Sequence, residues 1–500
     1  VEDLKRCCRS KAWRLSNLYW IKDKHGKKVK FKPNKHQRKF QAERHGRDLI
    51  LKARQLGFST FVQIDMLDDC LFNPNTNAGV IADTTDNVKT IFKDKIKFAY
   101  DALNTIIKSK IAAKNDAANE LRFDNGSVII VGTSLRSGTY LYVHISEHGK
   151  ICANYPKKAK EIRTGTIPTI PLNGKLVNES TAMGRLGDFY EDCENSRKRR
   201  ESGMEPTKIQ YKFHFYPWFT DDENRLDQYV FISDEMNEYF DRIEKETHTK
   251  LDVEQRAWYV GTKEILKDDM KQEHPSTPRE AFDASIEGAY FSRQMAQIRA
   301  KNQIGRMPIA TGIPIETFWD LGKDTTSIWF FQKVGFEWNF IDYYENDGEW
   351  MQFYVDILKD KKDGLEKYMY GDCYLPHDGT RASMGSPNSP ADILHKAGFN
   401  VRIVPRTPDK AISIERARYA IPRCNFHVDR CSPGIIHLDN YRKAKDEKNE
   451  TWLKLPVHDK ASHGADAFMT FADGYYHEEE VENQDERDYG MSGKNVTTGY

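Results

Sequence analysis

None of the eight cysteines scattered through the 500-residue chain falls into the short repeated spacings that a zinc site or a disulfide framework needs. That absence points to a reducing, intracellular setting. No run of about eighteen apolar residues is present, and the stretch Val1 to Arg6 lacks the apolar region of a signal peptide, so a soluble protein is expected. Net charge is missing too: 76 Lys and Arg against 75 Asp and Glu leave +1. A static grip on nucleic acid usually comes with a clearly basic balance, so composition alone does not select DNA as a partner. A motor that keeps releasing phosphates can nevertheless work with local basic patches. No internal repeat of fixed period is found.

The length exceeds what one hydrophobic core usually serves, so two domains are expected. In the first half, Asp48 to Lys52, Ala78 to Ala82, Ser127 to Gly132, Leu141 to Ile145 and Lys175 to Glu179 are short β-type runs separated by longer polar segments. That rhythm predicts a parallel α/β sheet. The charged stretch from Tyr216 to Met270 reads as helical, and a second strand series starts at Thr317 and continues through Ser327 to Gln332 and Trp338 to Tyr344. The Pro- and Gly-punctuated stretch between the halves suits a connection. The expected division is 1–272, a linker over 273–314, a second domain over 315–478 and an acidic, polar tail over 479–500 that composition marks as disordered.

Two sets of residues carry chemistry. Lys52, Arg54, Gln55, Gly57, Phe58, Ser59 and Thr60 lie between the apolar strand ending at Leu51 and the run Phe61 to Ile64, which can open a helix. A strand, a glycine turn and a helix amino-terminus offer backbone N–H groups to a phosphate, and the Ser59 hydroxyl can reach a magnesium ion. Phe58 stands where a P-loop ordinarily carries lysine, so Lys52 or Arg54 must bring the cation. Further on, Leu141 to Ile145 leads into Ser146 and Glu147, a strand ending in a carboxylate able to orient an attacking water. In the second half, Asp320 ends an apolar run, Asp378 closes Pro376-His377-Asp378, and Asp466 lies at a helix start, with Asp372 a competitor for the second position and Asp324 or His463 candidates for an outer shell. Carboxylates on two neighbouring strands and a facing helix can converge on a pair of hard divalent cations, and an all-oxygen set favours magnesium or manganese over zinc.

In this order the motifs resemble those of the large subunit of tailed-bacteriophage terminases, over about Asn34 to Tyr476. The resemblance implies an amino-terminal P-loop (RecA/ASCE-like) ATPase domain followed by an RNase H-like nuclease domain. It implies ATP and Mg2+ (or Mn2+) as cofactors, translocation of double-stranded DNA into a procapsid, and two-metal cutting of concatemeric DNA. The site roles it implies are Gln37 on adenine, a P-loop with its basic residue moved forward to Lys52 or Arg54, and Glu147 as catalytic base. Arg136 is then an arginine finger, and Ser180, Thr181 and Ala182 are a coupling motif. Asp320, Asp378 and Asp466 (or Asp372) become the nuclease ligands. Ser146 departs from the family pattern, which places Asp there. The implied partners are the portal protein, the small terminase subunit and further copies of the chain in a pentameric ring, in the cytoplasm of an infected host cell. The competing readings are a helicase or repair ATPase with an attached nuclease, an RNase H-like transposase or integrase, and a capsid or scaffold protein without activity.

Overall fold

The five apolar runs of the first half all become strands of one eight-stranded sheet in the computed structural model, which describes residues 7–477 except 136–137, 186, 283–287, 323–324, 365–366, 383–386 and 447–450. In chain order its strands are β1 (Arg47–Lys52), β2 (Asn77–Ile81), β3 (Ala113–Ala117), β4 (Glu120–Phe123), β5 (Val128–Gly132), β6 (Tyr142–Ser146), β7 (Lys175–Ser180) and β8 (Lys212–Tyr216). They lie in the order β8-β1-β7-β6-β2-β5-β4-β3. The six from β8 to β5 run parallel, and β4 and β3 add an antiparallel edge. Every residue of β1 is buried, as expected of a central parallel strand covered on both faces. Strands β3, β4 and β8 went unread in the sequence because they lack an extended apolar run.

Helix α1 (Lys35–Glu43) is closed at its start by an Asn34–Gln37 capping box. Helix α2 (Phe58–Phe72) follows the glycine turn and is buried along most of its length. It carries Asp65, Asp68 and Asp69 into the interior, and each has a cation: Arg44 at 2.6 Å from Asp65, Arg14 at 2.7 Å from Asp68, Lys175 at 2.6 Å from Asp69. A buried carboxylate left alone would cost several kcal/mol, so these pairs fix where α2 sits on the sheet. The stretch from Tyr216 to Met270 forms α-helices at Asp234–Thr247 and Val253–Leu266, with single 3-10 turns at Trp218–Thr220 and Lys267–Asp269, and Tyr216 itself ends β8.

The chain separates into two units, Val1–Ala284 and Ser285–Tyr500. The stretch expected as a linker is therefore divided. Trp218 donates its indole N–H to Ser276 at 2.9 Å and the Tyr239 hydroxyl lies 3.0 Å from Glu280, so this part packs within the first unit. Residues from Tyr290 onward belong to the second core, where Phe291 stacks on Tyr441 with ring centroids 5.7 Å apart. Aromatic side chains, not the prolines, decide the boundary.

The second unit holds a seven-stranded sheet: β9 (Ile304–Gly305), β10 (Ile315–Leu321), β11 (Thr325–Val334), β12 (Glu337–Asp347), β13 (Tyr370–Leu375), β14 (Asn400–Ile403) and β15 (Cys424–His427). Their order is β9-β15-β12-β11-β10-β13-β14. Three antiparallel strands form a meander, and β13 and β14 lie parallel to β10 on its other side. That three-two-one-four-five core is the RNase H-like arrangement. The first sheet, with β7 between the P-loop strand β1 and the acidic strand β6, is the RecA/ASCE-like one.

Candidate functional site

Parallel pairing brings the carboxyl ends of β1, β7 and β6 side by side, with Ile50 opposite Glu179 and Glu179 opposite Ser146. The turn that leaves β1 needs two left-handed residues, Gln55 at φ 65° and Gly57 at φ 73°. A Cβ at 57 would also lie 2.9 Å from the Gln37 amide nitrogen, so a side chain there would displace the Gln37 amide from the Gly57 carbonyl. At the foot of this turn Lys52, 5% exposed, places its ammonium 3.2 Å from Glu179 and 3.7 Å from Glu147. The Ser59 hydroxyl donates to Glu179 at 2.5 Å, and Ser146 donates to the same oxygen at 3.2 Å. Glu147 itself is held at φ 58°, a left-handed conformation costly for a residue with a side chain, at the start of helix α3 (His148–Asn154).

The electrostatics follow from burial. Desolvation raises the Glu147 carboxyl above its ordinary range, with Lys52 opposing. Desolvation pushes Glu179 the same way, but Lys52, His144 and the Ser59 hydroxyl outweigh it and hold this carboxyl low. For Lys52, burial disfavours the charge and the two carboxylates more than restore it. A cavity of about 930 Å3 opens above this floor, lined among others by Gln37, Lys52, Arg54, Ser59, Lys95 and Glu147.

The candidates of this site sort as follows. Lys52 faces the carboxylates, whereas Arg54 is ion-paired to Glu273 at 3.1 Å. Phe58 is a core residue, its ring 4.5 Å from that of Tyr216, so only its backbone is open to the cavity's chemistry. Gln37 lines the cavity, but its amide is engaged at both ends, accepting from Asn34 N–H and donating to the Gly57 carbonyl at 3.0 Å. Gln55, Gly57, Ser59 and Thr60 line the cavity. Ser180 accepts the Gly149 N–H at 3.0 Å, tying β7 to α3 beside Glu147, while Thr181 and Ala182 are buried. Arg136 lies outside the described residues.

Two residues were missed. Glu179 was passed over as the end of a strand; a carboxylate two residues after the apolar pair Leu176–Val177 was its signal. Lys95 sits on a π-helical segment, Ile91–Lys97, a form frequent at functional sites. Its ammonium is lowered by burial, with Glu179 opposing, and has no hydrogen-bond or ion-pair partner among the described residues.

In the second unit, Asp320 on β10 faces Ser327 on β11, which faces Glu345 on β12. Helix α4 (Lys410–Ala420) contributes Lys410, 2.8 Å from Asp466 on helix α5 (Lys460–Phe471). His463, one turn before Asp466, lies 3.1 Å from Asp320 through Nδ1, and the Thr470 hydroxyl donates to the Trp319 carbonyl at 3.0 Å, pinning α5 against β10. Close approach is required here too, since a Cβ on Gly322 would lie 2.3 Å from the Thr325 carbonyl oxygen and 3.1 Å from the His463 ring. Burial and the neighbouring Asp466 raise the Asp320 carboxyl, and Asp320 in turn raises His463.

Asp378 follows β13, whose parallel pairing with β10 brings its turn toward Leu321. The structure does not bring Asp372 to the same place: it is ion-paired to Arg402 and its N–H bonds Glu316. Asp324 lies outside the described residues. Glu345, accepting from Tyr343 at 2.7 Å, was not anticipated. As the side chains stand, no group of three or more His, Cys, Asp and Glu among the described residues is gathered tightly enough to hold an ion. One buried oxygen of Asp378 and one of Glu147 nevertheless lack hydrogen-bond partners, while an oxygen of Asp466 meets the Lys410 ammonium at 2.8 Å and one of Glu179 meets Lys52 at 3.2 Å. Oxygen-only donors with unfilled lone pairs fit a hard divalent cation at both places.

No family model and no curated protein matches the chain. Among solved structures it is similar to the HK97 bacteriophage large terminase, at 12% identity over 85% of this chain and 90% of that one, with a TM-score of 0.39. It is also similar to the large terminase of a thermophilic bacteriophage, at 14% identity, 86% and 94% coverage and a TM-score of 0.30. A third is the large terminase ATPase domain of Thermus phage P74-26, at 16% identity, 49% and 94% coverage and a TM-score of 0.35. At these values any reading of function rests on the geometry of the two sites.

Proposed function

We propose that the chain is the large subunit of a phage-type terminase, in which ATP hydrolysis by the first unit moves double-stranded DNA into a procapsid and the second unit cuts it. The observation that carries this reading is the constellation of Lys52, Ser59, Glu147 and Glu179 beneath a glycine turn at the ends of three parallel strands. Backbone N–H groups at the start of α2 receive the phosphates, and Lys52 supplies the cation absent at position 58. Glu147, its carboxyl raised by burial, takes a proton from the water that attacks the terminal phosphorus as the bond to the leaving diphosphate breaks. Magnesium, when bound, offsets phosphate charge in the transition state. The bond from Gly149 to Ser180 couples the backbone at Glu147 to β7.

In the second unit Asp320, Asp378 and Asp466 would hold divalent ions that activate water and stabilise the leaving oxygen of a phosphodiester. His463 orients Asp320, and Lys410 restrains Asp466. Portal protein, small terminase subunit and a ring of copies are the partners this role requires.

The test measures ATP hydrolysis with and without double-stranded DNA, and cutting of plasmid with Mg2+, Mn2+ or chelator. DNA-stimulated hydrolysis together with metal-dependent cutting that shows no sequence preference is expected. Strand separation driven by ATP would favour a helicase instead, and absence of hydrolysis and cutting would remove the enzymatic reading altogether.

A further inference from the structure

We infer that Glu179, on β7, is the metal-holding carboxylate of the nucleotide site, taking the place of the acid that β6 lacks at Ser146. The inference rests on the reading of this cavity as a magnesium–nucleotide site. Its basis is register: Ser146 and Glu179 are paired residues on adjacent parallel strands, so the two side chains start from neighbouring points on the same sheet. Strands lie about 4.8 Å apart, and a glutamate is one methylene longer than an aspartate, so a carboxylate on the next strand can reach the position above Ser146. It does so here, since Ser146 donates to one Glu179 oxygen at 3.2 Å.

That same oxygen accepts from Ser59 at 2.5 Å. Ser59 is the hydroxyl in the first turn of α2, the group that in a P-loop reaches the ion. The carboxylate therefore already sits against the hydroxyl with which it would share a metal shell. Its second oxygen faces the Lys52 ammonium at 3.2 Å. A fully buried carboxylate is expensive unless compensated; beside Glu179 stand Lys52, which it shares with Glu147 at 3.7 Å, and the His144 imidazole at 3.4 Å. An ion pair serving only to hold Lys52 would not need Ser59 and Ser146 to converge on the same oxygen.

The experiment uses Mn2+ as a spectroscopic probe of the full chain in the presence of ADP, for wild type, Glu179→Gln and the exchanged double variant Ser146→Asp/Glu179→Ser. Glu179→Gln should weaken Mn2+ binding about 10- to 100-fold, the usual cost of removing a metal's carboxylate support, while metal-free ADP affinity changes little. The exchanged variant, which moves the carboxylate back to β6, should regain most of the ion affinity. A folded Glu179→Gln protein that binds Mn2+ with ADP as tightly as wild type overturns the inference. Should Glu179→Gln fail to fold because Lys52 is left unpaired, the exchanged variant decides: folded and unable to bind Mn2+ with ADP, it overturns the inference equally. If wild type binds no ADP under any condition, it is the nucleotide reading that fails.

Discussion

Both units end a sheet in carboxylates, yet they neutralise them in different ways. In the first, Lys52 and Glu179 are 6% and 0% exposed at the side chain and are locked by strand register. In the second, Lys410 and Asp466 are 40% and 27% exposed, and each carboxylate has a separate partner on a helix. A buried pair cannot lose one member without stranding the other in low dielectric, while an exposed pair hands its charge to water. The first site is therefore assembled by folding. The second leaves its Lys410–Asp466 pair in contact with water.

The sharpest way to use this contrast is to remove the chemistry of each site separately. Glu147→Gln should lower ATP turnover by about 10²- to 10⁴-fold with nucleotide binding retained, as expected for loss of a general base, and DNA cutting should continue. Asp320→Asn or Asp466→Asn should lower metal-dependent cutting by about 10²-fold or more, the equivalent of a few kcal/mol of charge stabilisation, with steady-state ATPase unchanged. Asp372→Asn, whose carboxylate faces Arg402, should cut as the parent does. Near-normal turnover in Glu147→Gln would sink its assignment.

Stability tests the contrast directly. Lys52→Met leaves Glu179 buried without its cation and should destabilise the first unit by about 3–5 kcal/mol, whereas Lys410→Met should cost under about 1 kcal/mol. Thermal unfolding followed by calorimetry separates the two, and equal losses would mean the sites are alike after all.

A smaller effect is expected at the cavity wall. Lys95 is a cation without a partner among the described residues, and its electrostatic neighbours are Glu179, Lys52 and Glu147 at the floor of the cavity. Lys95→Ala should weaken a non-hydrolysable ATP analogue about tenfold, roughly the 1.4 kcal/mol of one charge-assisted contact, and ADP less. Titration calorimetry with both nucleotides checks this, and equal loss for the two would place Lys95 away from the terminal phosphate.

Mild acid should act on the first unit through a buried imidazole. Burial lowers His148 from 6.5 to about 4, with Asn178 3.0 Å away opposing. Between those values the unfolded chain binds the proton and the folded one does not, so stability is fully present above about pH 6.5 and falls toward pH 4. At pH 5 the loss is about 2 kcal/mol for this residue. His148→Asn should flatten the pH dependence of the first unit's unfolding midpoint over that window; an unchanged slope would remove His148 as the cause.

Short apolar stretches exposed β1, β2, β5, β6 and β7, which lie in the parallel part of the sheet and are covered on both faces. Strand β8 escaped notice because Lys212 and His214 interrupt its pattern; His214 is buried against the Phe40 ring and paired with Asp48 at 2.9 Å. The glycine turn was legible since a left-handed residue before a helix leaves a local mark. Lys52 and Arg54 could not be told apart in the sequence, because what separates them is the reach of Glu273, more than two hundred residues away.

Local and ordered features could be read from the chain alone: where strands begin, where glycine is needed, and the succession of a glycine turn, a strand-end carboxylate and three later aspartates. Only tertiary structure decided which charges meet. Strand register set Glu179 opposite Ser146, parallel pairing carried the turn of Asp378 toward β10, and an arginine on β14 drew Asp372 aside. Such encounters depend on pairing between segments distant in the chain, and a side chain's charge state depends on the dielectric those pairings create.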